Sequence, residues 1–267
     1  MAQPANAQLQ DTSGASDKPI PTLGELQQLK YNENVALFGQ EMEFERLDIR
    51  LDALREAAMS LGARSGLATR TKEIRQILDQ RSAYMERVFD FRQLLIQAPS
   101  GLLIEPPVVN ESFDNMSIES SGQVAAVTDR ILNINRNAKI VSTSRNWRNY
   151  LERDWGEVQL PPAILFPKTE DERREWVTLV SKGWKEGIDQ ADAIFQSDLN
   201  RLVSDFNGMV RYRILLTQGI ITPPFALEIN RGVTGGGHEM RVGDRAVQIT
   251  GPSQLQPDAF EWKPANR

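Results

Sequence analysis

The chain reads as a predominantly helical α+β fold: a long central helix packed by N-terminal helices, with a small antiparallel β portion and a C-terminal hairpin. Three observations predict it. Between Pro167 and Pro224, Trp176, Val180, Trp184, Ile188, Ala191, Phe195, Leu199, Leu202, Phe206 and Met209 recur at steps of three and four, which is a helical stripe. Two similar stripes precede it, one from Phe44 to Leu61 and one from Ile74 to Leu95. Alternating apolar residues at Val127 and Ile131, and again at Met240, Val242, Val247 and Ile249, predict strands.

The long helix carries its own boundary signals. Thr169 is placed to cap the first turn, with Glu172 three residues on to reach back. Glu170, Asp171 and Glu172 suit the positive end of the helix dipole. Arg211 and Arg213 suit the other end, and Gly219 followed by Pro223-Pro224 stops it. At about 1.5 Å per residue such a helix is roughly 70 Å long. Its stripe advances by about 3.67 residues per step, near an eleven-residue period, which disfavours a left-handed coiled coil and predicts a nearly straight spine.

Residues 1–22 are rich in Ala, Gln, Ser, Pro and Asp and read as a disordered linker. Ala5-Asn6-Ala7 has the look of a signal-peptidase site, and equally of a chance match in an alanine-rich stretch. Residues 23–250 read as a single α+β domain and 251–267 as an extended tail with three prolines. Within the domain, Arg81 interrupts the second stripe, and Gly62 to Gly66 is either the bend of a helical hairpin or a weak point in one helix. Residues 99–123 read as a long connection, 124–141 as one or two strands, and 144–155 as a short amphipathic helix. Phe225 to Asn230 reads as a short strand, and the later hairpin is expected to turn at Gly243-Asp244.

Composition narrows the chemistry. The net charge of −5 argues against direct nucleic-acid binding. No apolar run reaches the ~18 residues of a membrane-spanning helix. With no cysteine there is neither a disulfide nor a thiolate zinc site. The one histidine, His238, follows a run of glycines. It has no second histidine for a zinc-protease helix, and the glycine run lacks the Lys-Ser/Thr of a phosphate loop. Glu186 with Asp189, or Asp198 with Asp205, could serve as an acid pair, but charges on an amphipathic helix are expected to form its solvated face. No catalytic, cofactor-binding or metal-binding residue is therefore assigned.

Small and aromatic residues are more informative. Gly183 and Gly187 lie one turn apart on the long helix, and Gly62 and Gly66 repeat that spacing. Each pair leaves a flat groove, so Gly62, Gly66, Gly183, Trp184 and Gly187 are the candidate helix-packing residues; a solvent-facing pair or a kink is the alternative. Trp147 and Arg148 on the short helix, and Phe260 and Trp262 in the tail, are the candidate interface residues.

Several longer words are more specific still: Trp147-Arg148-Asn149-Tyr150-Leu151, Leu165-Phe166-Pro167-Lys168-Thr169, the run from Gly183 to Ala191, the run from Asp205 to Arg213, Gly232-Val233-Thr234-Gly235 and Asp244-Arg245. Over about residues 45–262 they resemble the DotC/TraI family of type IVB secretion systems and the related IncI-type conjugation machines. The resemblance implies a non-enzymatic structural subunit of an outer-membrane core complex, assembled as a multi-copy ring at the periplasmic face of the bacterial outer membrane. The partners it implies are copies of the chain and DotD-like and DotH-like subunits. Family members are typically lipoproteins acylated on an N-terminal cysteine, a residue this sequence lacks. The rival readings are a periplasmic cell-wall-active enzyme using helix carboxylates and a soluble periplasmic adaptor.

Overall fold

The computed structural model describes residues 20–31, 47–98, 101–118 and 125–263. Most of the expected linker over 1–22, with Ala5-Asn6-Ala7, lies outside the described residues, as do Phe44, Pro99, Val124 and Pro264. In chain order the elements are α1 (Leu23–Gln27), α2 (Leu47–Gln80), α3 (Ser82–Val88), β1 (Ile96–Gln97), β2 (Leu103–Glu105), β3 (Val108–Ile118), β4 (Ala125–Arg136), β5 (Lys139–Val141), α4 (Arg148–Leu151), α5 (Glu170–Thr217), β6 (Phe225–Gly236) and β7 (Glu239–Gly251). They fall into two compact units: the described residues up to Gln80 with Glu152–Gln196, and those from Arg81–Leu151 with Ser197 onward. The sequence pattern predicts one domain over 23–250.

The first unit is helical. Its core gathers Leu26, Leu54, Ala58, Leu61, Trp176 and Val180. Thr22 caps α1 through a reciprocal capping box with Glu25, and Trp176 donates its indole N–H to the Leu26 carbonyl at 3.0 Å. Helix α2 pairs with the first half of α5 at a nearly constant offset: Arg50 with Glu172, Arg55 with Glu175 and Arg70 with Asp192. Both numbers rise together, so the two helices run parallel. The Gly62–Gly66 segment lies inside the uninterrupted 34-residue α2, which excludes a hairpin bend there.

Both ends of the 48-residue α5 follow the sequence signals. Thr169 Oγ1 accepts from the Glu172 amide at 3.2 Å. The Glu172 carboxylate also accepts from the Lys168 amide at 2.7 Å and pairs with Arg50. At the far end Gly219 takes φ 71. Its amide donates to the Leu216 carbonyl, and the Ile220 amide to that of Leu215; these are the two bonds of a Schellman motif.

Among the described residues the second unit carries all the strands. β1, β2 and β5 form a small antiparallel sheet in the order β1-β2-β5, while β3-β4 and β6-β7 are each two-stranded. Val109, Tyr212, Leu215, Ile220 and Ile221 form its core with Leu132 and Ile134 packed against them. The tail returns to the end of α5: Gln256 donates to the Ile220 carbonyl and Lys263 to that of Gln218.

Four local expectations are corrected. Residues 99–123 are no mere connection, because they contain β2 and the whole of β3; Asn110, Glu111, Ser112, Asp114 and Asn115 hide the strand pattern. The second helical stripe breaks at Arg81 and ends at Val88, short of Leu95. The short helix keeps only α4 within the expected 144–155. The last hairpin turns at Gly237-His238, where Gly237 supplies φ 68, and not at Gly243-Asp244. Gly243 lies within β7, opposite a register shift around Gly232; the shift absorbs its φ of 74 and lets β6 run twice the expected length.

Candidate assembly site

The glycine pairs meet. A methyl group built on Gly62 would sit 2.3 Å from the Val180 carbonyl oxygen, and one on Gly66 2.3 Å from that of Trp184. On the facing helix, Gly183 opposes the Met59 carbonyl and Gly187 that of Ala63. Each glycine thus presents a Cα hydrogen to a carbonyl oxygen of the other helix, as in a Cα–H···O contact. Trp184 packs beside this crossing against the first unit's core.

A buried ionic cluster secures the second unit. Glu105 and Asp205 are both buried. The Arg145 guanidinium joins them, donating from Nε to Glu105 at 2.8 Å and from Nη1 to the Tyr150 hydroxyl at 2.7 Å, with Asp205 at 3.3 Å. Tyr150 donates to Asp205 at 2.7 Å, and Arg136 pairs with the same carboxylate. Burial pushes the Tyr150 phenol above its ordinary value, and its hydrogen bond to Asp205 adds to the shift. Arg201 stacks on the Tyr150 ring, as does Phe91. Asp198 is buried as well, so the expectation of a solvated face fails for Asp198 and Asp205; Glu186 and Asp189 are exposed. Two cations and a phenol converge on Oδ2 of Asp205, which suits a structural clamp.

From this base two long β ribbons extend. The β3-β4 ribbon is held at its root by buried Val108 and Val109. Gly208 of α5 makes room for them, since a methyl there would lie 2.5 Å from Val108 Cγ1. Arg211 grips the root, donating to the Val109 carbonyl and to Glu111, each at 2.8 Å. Beyond Glu111 the ribbon leaves its core: Phe113, Met116, Val127 and Ile131 are all exposed. The β6-β7 ribbon is 12 to 13 residues long, about 40 Å at ~3.4 Å per residue. Along it Phe225, Leu227 and Ile229 alternate outward, and Val233, Met240 and Val242 near the turn are 60–73% exposed.

Among the described residues neither ribbon has a third strand. A two-stranded ribbon is marginal by itself in water, and exposed apolar residues on unpaired strands mark a surface that another chain covers.

The residues expected at an interface divide. Trp147 is fully buried under the Arg148 guanidinium, 4.5 Å from its ring, so the indole packs the core and is no open contact; it sits just ahead of a helix too short to present it outward. Phe260 is wholly exposed, while Trp262 is partly covered and donates its indole N–H to the Gln256 carbonyl at 2.9 Å. The ribbon residues are the ones sequence reasoning missed. The Val127–Ile131 alternation was the available signal for β4; its partner β3 was masked by polar residues.

Among the described residues no group of histidine and carboxylates is arranged to hold a metal ion, and no helix is long and apolar enough to cross a membrane. No curated protein matches the chain. The family model described as type IV secretory system, conjugal DNA-protein transfer matches residues 48–264, a span that takes in α2, α5, the ionic cluster and both ribbons. The chain belongs to this TraI family of type IV secretory systems.

Proposed function

We propose that the protein is a non-enzymatic structural subunit of the outer-membrane core complex of a type IV secretion or conjugative transfer machine. In this reading it assembles in several copies as part of a ring at the periplasmic face of the outer membrane. Copies of itself and subunits of the DotD-like and DotH-like kinds are its partners. The observation that supports the reading best is the pair of two-stranded ribbons whose apolar side chains stand in solvent. A folded domain with a buried ionic clamp gains nothing from such arms alone, whereas an assembly subunit needs them.

The test is the size of the complex extracted in detergent from cells carrying the transfer system. The expected result is a particle holding many copies of the chain. Val242→Asp, at an exposed ribbon position, should change the stability of the subunit by less than about 0.5 kcal/mol while releasing it from the particle and abolishing transfer. A chain that extracts in a single copy would overturn the reading. The enzyme alternative is tested by Glu186→Ala with Asp189→Ala: loss of a hydrolytic activity with assembly intact would favour it.

A further inference from the structure

The tail forms a closed loop from Gln256 to Lys263. Its two ends are fastened beside the end of α5, where the Gln256 amide donates to the Ile220 carbonyl and the Lys263 amide to the Gln218 carbonyl, each at 2.8 Å. Inside the loop the Trp262 indole N–H reaches back to the Gln256 carbonyl, and the Asp258 carboxylate accepts from the Phe260 amide, both at 2.9 Å. The Glu261 amide closes a turn on the Asp258 carbonyl. At the apex stands Phe260, bare of any cover from its own chain. A ring held out on a loop already fixed in shape loses little freedom on docking, and aromatic side chains are frequent anchors of protein interfaces. Asp258 and Glu261 flank it, and Glu261 has no ion-pair partner among the described residues. Acids beside the ring disfavour an anionic lipid surface and favour a protein surface whose rim carries cations.

The same unit holds such a surface on α3. None of the seven residues of that helix is buried, and a helix so short is marginal in water without packing. Tyr84 and Val88 stand exposed, one turn apart. The Arg81 carbonyl accepts from the amides of Tyr84 and Met85, so Arg81 belongs to the first turn. Arg81, Tyr84 and Val88, at steps of three and four, therefore share one face, and Arg87 borders it one turn from Tyr84. Neither arginine has an ion-pair partner among the described residues. Apolar contact and positive charge are thus presented on the same side.

We propose that the Phe260 loop of one copy packs on the Tyr84–Val88 face of α3 in the next copy, with Glu261 at the rim against Arg81 and Arg87. The contact covers the bare ring and the uncovered helix, and it joins an acid and two cations that lack partners within the chain. Two different, complementary surfaces on one chain make a head-to-tail contact, and such contacts close into rings when the rotation per subunit allows. The contact is small and gains its strength from the other contacts that hold the copies together. It rests on the multi-copy reading above and names surfaces that would build it.

Because the chain has no cysteine, crosslinking tests this directly. Val88→Cys and Ala259→Cys variants of the full chain are co-expressed in cells carrying the transfer system and treated with a short bifunctional maleimide. The expected product is a mixed dimer, several times more abundant than either homodimer, and a ladder when both cysteines are on one chain. Phe260→Ala on the Ala259→Cys chain should cut the yield by about tenfold, and by itself should leave the urea-unfolding midpoint unchanged. Glu261→Arg should cut the yield several-fold, because like charges then meet, and Arg81→Glu with Arg87→Glu in the partner copy should restore it. A multi-copy particle without the 88–259 product, with only 259–259 homodimers, or with products only to other subunits overturns this contact and leaves the ring reading standing. A Phe260→Ala chain that crosslinks as well as the parent does the same. A single-copy extract overturns both.

Discussion

Adding one methyl group at Gly187 should unfold the first unit more readily, whereas adding the same group at Gly24 should stabilise it. Alanine favours a helix over glycine by about 1 kcal/mol. At Gly24 nothing lies within 4 Å of the new methyl, so that gain is realised. At Gly187 the methyl would lie 2.1 Å from the Ala63 carbonyl oxygen and 2.8 Å from the Leu67 amide nitrogen. Both are helix backbone, with no side chain to swing aside. Restoring a normal contact requires α2 and α5 to separate by about 1 Å at their crossing, thinning the packing of the buried residues on either side. Overpacking of this kind costs about 1–3 kcal/mol, and more when backbone must move, which exceeds the propensity gain. Gly187→Ala should therefore destabilise by about 2 kcal/mol net and lower the melting temperature by roughly 4–8 °C. Gly183→Ala should act alike, and the Gly183→Ala/Gly187→Ala pair should cost less than the sum, because the first methyl already parts the helices. Thermal and urea unfolding of the variants measures this. A Gly187→Ala melting temperature equal to or above that of the parent would refute the close crossing.

Two further perturbations probe the charged groups that hold each unit. Arg145→Ala leaves Glu105 and Asp205 buried without their shared counter-charge, and the expected loss is about 3–5 kcal/mol in urea unfolding; a loss below about 1 kcal/mol would mean that Arg136 and Lys139 suffice. At Glu172, burial alone raises the pKa, but Arg50 and the amides of Lys168 and Thr169 outweigh it and hold the carboxyl below its ordinary 4.5. A depressed carboxylate pKa contributes stability that is present above about pH 4.5 and lost as the pH falls through the folded value. Glu172→Gln should thus be less stable than the parent at pH 7, with the gap closing toward pH 3; parallel stability–pH curves would contradict the role of the charge.

How much of this was legible depended on whether the cause was local. The ends of α5 were readable because Thr169, the three following acids and Gly219 act through bonds within one turn. The glycine spacing was visible, yet which helices met, and that they run parallel, depends on the stretch that runs back along α2 from Trp155, at Thr71, to Phe166, at Arg50, and no local pattern encodes that return. Asp205 illustrates the limit: on a helical wheel it resembles any solvated acid, and only Arg145, Arg136 and Tyr150, brought from distant positions, make its burial tolerable. β3 was hidden for a related reason. A strand with no covered face beyond its root has no apolar alternation to display, so Asn110 through Asn115 look like loop.

That same absence of a covered face raises the question of how the free subunit avoids sticking to the wrong surface. The β6-β7 ribbon has two open edges about 12 residues long, the length at which strands recruit one another. Its sequence interrupts them: Arg231, Arg241 and Arg245 stand exposed, and the register shifts around Gly232 bend the ribbon so that no flat edge persists. The apolar residues remain available to a shaped partner while indiscriminate pairing is resisted. If the arginines serve as such gatekeepers, then Arg231→Val with Arg241→Val, both at exposed strand positions with high β propensity for valine, should leave the unfolding midpoint within about 0.5 kcal/mol of the parent. The purified variant should nevertheless aggregate at concentrations where the parent stays clear. Light scattering against concentration, run beside urea unfolding, separates the two effects. A variant that remains as soluble as the parent would show that the bends alone protect the edges, and would refute the gatekeeper role of these arginines.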